Sequence, residues 1–155
     1  MEPLPSKELL LRACRSTPRR DHPILASAHR LAELHERRLH AQSPEHGPRA
    51  EPANTHDIDR HRAQLVLAID RWVATETPLP HGGAHMHTET MGMVIDRLAQ
   101  FSVSAYGTPP GIPAWATHDA WERLAELALG YQDLACEIAT GQRRLPYLSG
   151  PRDQP

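Results

Sequence analysis

The residues with the most chemistry in them fall in one run, His85-Met86-His87-Thr88-Glu89-Thr90-Met91-Gly92-Met93-Val94-Ile95-Asp96-Arg97-Leu98. Glu89 and Asp96 stand seven apart, which on a helix puts them on one face, two turns from each other. Two carboxylates in a partly dry cleft can share the work of general acid and general base. These two are therefore the expected catalytic pair. Arg97 follows Asp96 directly, and Arg62 lies within the apolar register of the preceding segment. A guanidinium suits the planar, two-point grip of a carboxylate or phosphate. Arg62 and Arg97, with His35, Asp59 and His87, are the expected substrate-binding set. Gly92 falls mid-helix, where it costs about 1 kcal/mol against alanine. That cost is expected where a neighbouring helix or a ligand comes close.

The same residues also carry a structural reading. Glu89 can face the positive end of a helix, and Asp96 with Arg97 can form a solvated pair. An arginine inside an apolar register needs a carboxylate partner. An internal network linking Arg62 or Arg97 to Glu89, Asp96 and Asp59 would supply one.

Other chemistries are less well supported. His85, His87, Glu89 and Asp96, with His35, are suitable metal donors by type. However, the chain has neither an inward Glu-x-x-His nor a His-Glu-x-x-His pattern, and Glu33-Leu34-His35 has the wrong spacing. No metal site is assigned and no cofactor is specified. Arg12, Arg15, Arg19 and Arg20 make a basic stretch near the start, but the chain as a whole has a formal charge of -2 and only 5% aromatic residues. That leaves little for base stacking, and no nucleic acid is expected. There is no nucleophile elbow and no glycine-rich phosphate loop. Cys14 and Cys136 do not make a disulfide framework, and Cys136 reads as a small core residue. No run approaches 18 apolar residues, so no membrane span is expected. The expected location is the cytoplasm.

The elements that must position these residues are marked out by proline. The 155 residues include 15 prolines, unevenly spread, and leave long proline-free spans at 24–43, 53–77, 81–108 and 114–145. Proline breaks helix interiors and is tolerated at first turns. Within the spans, apolar residues recur at three and four: Ile24, Leu25, Ala28, Leu31; Ile58, Leu65, Ile69, Trp72; Val94, Leu98, Phe101, Ala105; Trp121, Leu124, Ala128, Tyr131. This predicts helices at about 23–42, 54–76, 87–106 and 117–141, and a shorter one over 6–15. Asp21 or His22, Asn54 or Thr55, His87 or Thr88, and Thr117 are the expected caps, and Gly141 is the expected stop. Amphipathic helices must bury their stripes against one another. The expected fold is all-α, a four-helix bundle with an additional short N-terminal helix. One domain is expected over 1–148, with a mobile loop at 41–52 and a flexible tail at 149–155.

The run Thr88-Glu89-Thr90-Met91-Gly92-Met93-Val94-Ile95-Asp96-Arg97-Leu98 resembles the signature of the bacterial DUF4254 family, Ser/Thr-Glu-Thr-x-Gly-x-x-Ile-Asp-Arg-Leu. Ile58-Asp59-Arg60 through Ile69-Asp70 is similar to that family's preceding helix, and Leu34-His35-Glu36 to its opening one. The closing Gly141-Gln142-Arg143-Arg144-Leu145-Pro146 resembles actinobacterial members. The likeness covers about residues 22 to 148; the eleven-residue run is its specific part. Ala99 departs from the serine that many members carry. The resemblance brings no activity with it, but it implies that Glu89, Gly92, Asp96 and Arg97 matter more than their spacing alone suggests.

The leading expectation is a small helical enzyme or ligand-binding protein acting on a small polar, anionic metabolite, with tailoring chemistry in specialised biosynthesis as one setting. The alternative is a non-catalytic structural or interaction protein. In that case the Asp/Glu/Arg set is an internal salt-bridge network, and Trp115 and Trp121 mark a partner surface. Homodimerisation through a helix face is the usual form of such an association.

Overall fold

The structure is a computed structural model that describes residues 3–43 and 52–146. Helix α1 spans Lys7–Ala13, α2 Pro23–Ala41, α3 Pro52–Glu76, α4 Met91–Tyr106 and α5 Ala114–Ala139. Four long helices preceded by one short one form the expected all-helical bundle. The expected tail at 149–155 lies outside the described residues, as do residues 44–51 of the loop expected at 41–52, while Ala41 closes α2 and Pro52 opens α3.

The capping chemistry explains most of the helix ends. Ser6 accepts the Leu9 amide at the start of α1. His22 caps α2 through Nδ1, which accepts the Ile24 amide at 3.2 Å, with Pro23 in the first turn. The end of α5 is a Schellman turn: the Gln142 amide returns to the Glu137 carbonyl at 2.8 Å, the Gly141 amide to that of Ile138, and Gly141 takes φ +71°. Glycine adopts that left-handed backbone without a Cβ penalty.

Three helix starts differ from expectation, the first being α3, which begins at Pro52 and so contains Asn54 and Thr55, its expected caps. Helix α4 begins at Met91 rather than near 87, so Gly92, expected mid-helix, lies in its first turn. Strand β1, His85–Met86, pairs in parallel with β2, Arg143–Arg144, and the His87 amide donates to the Arg144 carbonyl at 2.7 Å. The chain is thus held in the strand and bends at Thr88 and Glu89 before the cap, Thr90, whose hydroxyl accepts the Met93 amide. Helix α5 starts at Ala114, three residues early, because the Pro113 carbonyl already accepts the Ala116 and Thr117 amides.

Helix α4 is the hub. It packs against α2, α3 and α5, while α1 bridges α2 and α5. Its burial is accordingly wider than one stripe: Met91, Val94, Ile95, Leu98, Ala99 and Val103 are all in the core. The N-terminal segment is tied to α5 by Tyr131, fully buried, whose hydroxyl donates to the Pro5 carbonyl at 2.7 Å. Trp121, expected in the core stripe of α5, instead lies at the surface edge-on to Tyr106 at 4.6 Å. Cys136 is exposed rather than core, and the buried cysteine is Cys14, whose thiol burial pushes up to about 12. No described helix is long and apolar enough to cross a membrane.

Candidate functional site

Three helices bring one polar set together. Asp96 projects from α4 between α2 and α3. Its Oδ1 accepts from His35 Nε2 at 2.7 Å and from Arg62 Nε at 3.3 Å, and its Oδ2 accepts from Arg62 Nη2 at 2.7 Å. An ionised carboxylate only accepts, so the proton on this His35 nitrogen is fixed by its partner. Arg62 Nη1 turns the other way, to Asp59 at 3.2 Å, and Asp59 in turn accepts from Arg38. The chain of contacts runs His35–Asp96–Arg62–Asp59–Arg38 and joins α2, α3 and α4.

The two most buried members are well shielded: the side chains of His35 and Asp96 are 5% and 16% exposed. Burial on its own would push the Asp96 carboxyl up. The hydrogen bonds from His35 and Arg62, with the charge of Arg62, outweigh it and hold the group below the ordinary aspartate value. The hydrogen bond with Asp96 raises Arg62 in return, against its own burial.

Glu89 is not part of this set. Because α4 starts at Met91, Glu89 precedes the helix and does not share a helical face with Asp96. Its carboxylate pairs with Arg97, its backbone amide donates to His87 Nδ1 at 3.2 Å, and both contacts stay within the loop and first turns. His85 lies exposed on β1. The structure therefore brings together His35, Asp59, Arg62 and Asp96, and sets Glu89, Arg97 and His87 apart as a local cluster. Among the described residues, no three His, Cys, Asp or Glu side chains come together in a way that could hold a metal ion.

This arrangement overturns the expectation of an enzyme or metabolite-binding site. Both oxygens of Asp96 and all three nitrogens of the Arg62 guanidinium are committed to partners within the protein. The depression beside the network is an open groove along α3 of about 1480 Å³, and it touches Arg62 and Asp96 but not Glu89, Arg97, His35 or His87. The groove that reaches Asp96 does not reach Glu89, the carboxylate expected to act with it. The geometry matches the alternative, an internal network that stabilises helix packing.

Two residues of this region are not marked as site residues by the sequence alone. Asp70 on α3 accepts the Gly92 amide at 2.7 Å and so caps α4 from a neighbouring helix. Burial raises this carboxyl, and the bonds from Gly92 and Thr90 only partly offset it. Arg38 is one basic residue among several, with nothing local to distinguish it. The signal for Asp70 is Gly92 itself. A Cβ there would lie 2.4 Å from the Val66 carbonyl oxygen and 2.8 Å from Asp70 Oδ1, so the glycine marks a close approach of α3 rather than of a ligand.

Residues 25–110, more than half of the chain, match a domain family described as Protein of unknown function (DUF4254). The matched stretch takes in α4 entire, nearly all of α2, and the whole of α3, which are the three helices that the Asp96 network joins. No curated protein and no solved structure matches the chain. The chain belongs to the DUF4254 family.

Proposed function

We propose that this protein is a non-catalytic helical module that works by association with another polypeptide, and that it forms a homodimer through the outward face of α5. The observation that carries the first part is the engagement of Asp96 and Arg62 by partners from their own bundle. Each Asp96 oxygen and each Arg62 nitrogen already holds a partner within the protein, so a substrate would have to compete with the contacts that join the helices.

The second part is supported by the surface of α5. This helix packs on α4, α1 and β2, and its buried residues are Leu124, Ala128, Tyr131, Leu134, Ala135 and Ile138. On the other side an exposed row descends at helical spacing, from Trp115 through Glu122, Glu126, Leu129 and Asp133 to Cys136. Trp115 is 73% exposed and Leu129 is 56% exposed. Large apolar side chains set in a regular polar row are the usual composition of a helix-mediated contact. Free Cys14 and Cys136 suit a reducing compartment, which supports a cytoplasmic location.

Sedimentation velocity on the full chain tests the reading. The wild type is expected to sediment as a dimer, and Leu129→Glu, on an exposed position that the fold does not need, as a monomer of unchanged helicity. A wild type that is monomeric at every concentration sinks the homodimer.

A further inference from the structure

Helix α3 carries a second apolar stripe that its own bundle does not cover. Its first stripe, Ile58, Ile69 and Val73, faces α2 and α4. Its second, Ala63, Val66, Leu67 and Ala74, lines the open groove, with Met93 of α4 and Leu145 beyond β2 on the far side. The groove follows α3 from Asp59 to Thr77, a helical length of about 27 Å.

Two arginines that line the groove pair with no carboxylate among the described residues. Arg71, on α3, makes no ion pair among the described residues. Arg144, on β2, buries its Nε without a hydrogen-bond partner, and its Nη2 has only the carbonyls of His81 and Gly82 at 3.4 and 3.5 Å. The Nε is closed off from solvent, so an acceptor from outside reaches only the terminal guanidinium nitrogens, whose own contacts are long enough to give way to a carboxylate. The other cations of the groove are engaged: Arg38 with Asp59, Arg62 with Asp96, and Arg143 with Glu137.

The complementary pattern is on α5. Glu126 and Asp133 stand two turns apart with the exposed Leu129 between them, and neither has a cation partner among the described residues. An acid–leucine–acid face is what an apolar floor between two unpaired arginines would receive. Resting on the α5 reading above, we infer that the seat for α5 is the α3 groove of a second copy. Leu129 lies on the Val66–Leu67 floor, and Glu126 and Asp133 meet Arg71 and Arg144. Each copy then offers one helix and one groove, and reciprocal docking about a two-fold axis closes the pair.

Charge reversal tests this on the full chain by sedimentation velocity, with helicity and melting checked for every variant. Arg71→Glu with Arg144→Glu, and separately Glu126→Arg with Asp133→Arg, are each expected to weaken dimerisation at least about tenfold, since like charges brought face to face repel strongly. Combining all four changes is expected to restore it. Arg71→Glu alone, at an exposed helix position, serves if the groove pair disturbs β2. If Leu129→Glu gives a monomer but groove reversal leaves the dimer unchanged, or if the fourfold variant fails to recover, the groove is not the seat, and the α5 reading stands without it. If the wild type is monomeric, both fall together.

Discussion

Replacing Asp96 by alanine isolates what the network does. The change leaves His35 buried without its acceptor and takes from Arg62 two of its three hydrogen-bonded nitrogens. Breaking a fully buried ion pair from one side costs roughly 3–5 kcal/mol. Here Arg62 is 23% exposed and keeps Asp59 at 3.2 Å, so part of its charge stays solvated and paired. A loss of about 2–3 kcal/mol follows, smaller than for a sealed pair because solvent screens what remains. For a chain of this length each kcal/mol shifts the melting midpoint by about 2–4 °C, so the expected fall is roughly 4–12 °C. Urea unfolding followed by far-UV circular dichroism reads the same quantity directly. Arg62→Ala and the double variant complete a cycle, in which the pair should cost at least about 1 kcal/mol less than the sum of the singles. Asp96→Asn keeps the volume and one acceptor for His35 and should fall between wild type and Asp96→Ala. If Asp96→Ala unfolds at the wild-type urea midpoint, or if the two single changes add, the network is not what holds these helices, and the structural reading of the site fails.

Acid titration gives a second view of the same group. The folded pKa of Asp96 is lowered, so its contribution is fully present above the unfolded carboxylate value of about 4 and is lost as pH falls through the folded value. Asp96→Asn should therefore flatten the acid limb of the stability curve, and an unchanged limb would count against the assignment. Gly92→Ala sets a gain in helix propensity, below the interior value of about 1 kcal/mol because Gly92 is only the second residue of α4, against a Cβ placed 2.4 Å from a backbone oxygen that cannot swing aside. The overpacking wins, and a net loss of about 1–3 kcal/mol is expected in the same urea assay; a stabilised variant would show that α3 and α4 are not in close contact there. Reaction with a thiol reagent should label Cys136 at once and Cys14 only on unfolding, because Cys14 is buried and its thiol is pushed up to about 12. Equal rates for the two would contradict the packing of α1.

The helices are legible in the sequence because their signals are local. Proline at the borders, His22 before Pro23, and Gly141 after α5 act within a few residues of the end they define. What is not legible depends on partners far along the chain. The start of α4 is set by the pairing of His85–Met86 with Arg143–Arg144, and no periodicity near residue 87 reports it. That one displacement separates Glu89 from Asp96, since their spacing of seven has meaning only if both lie on the helix. His35, Arg62 and Asp96 are recognisable as polar residues in apolar registers, but their pairing comes from the packing angle of three helices. Cys136 departs from its expected core position for a simpler reason. It sits two residues past Leu134 and two before Ile138, which on a helix turns it to the opposite side from both.

The placing of polar contacts along α3 and α4 explains why a bundle would keep buried charge here. The two helices run antiparallel and touch at two specific points. Asp70 holds Gly92 at the start of α4, and Arg62 holds Asp96 one turn further on. Eight residues on α3 span the two points against four on α4, and the long reach of Arg62 takes up the difference. Apolar ridges formed by Val94, Ile95 and Leu98 would tolerate a slide of one turn, about 5.4 Å, at modest cost. The polar pair would not, because the slide strands a carboxylate and a guanidinium out of water at one point and a helix amide at the other. Asp70 and Asp96 therefore fix the register of α3 against α4. That register in turn sets which side of α3 faces outward, and with it the line of Ala63, Leu67 and Ala74 that floors the groove.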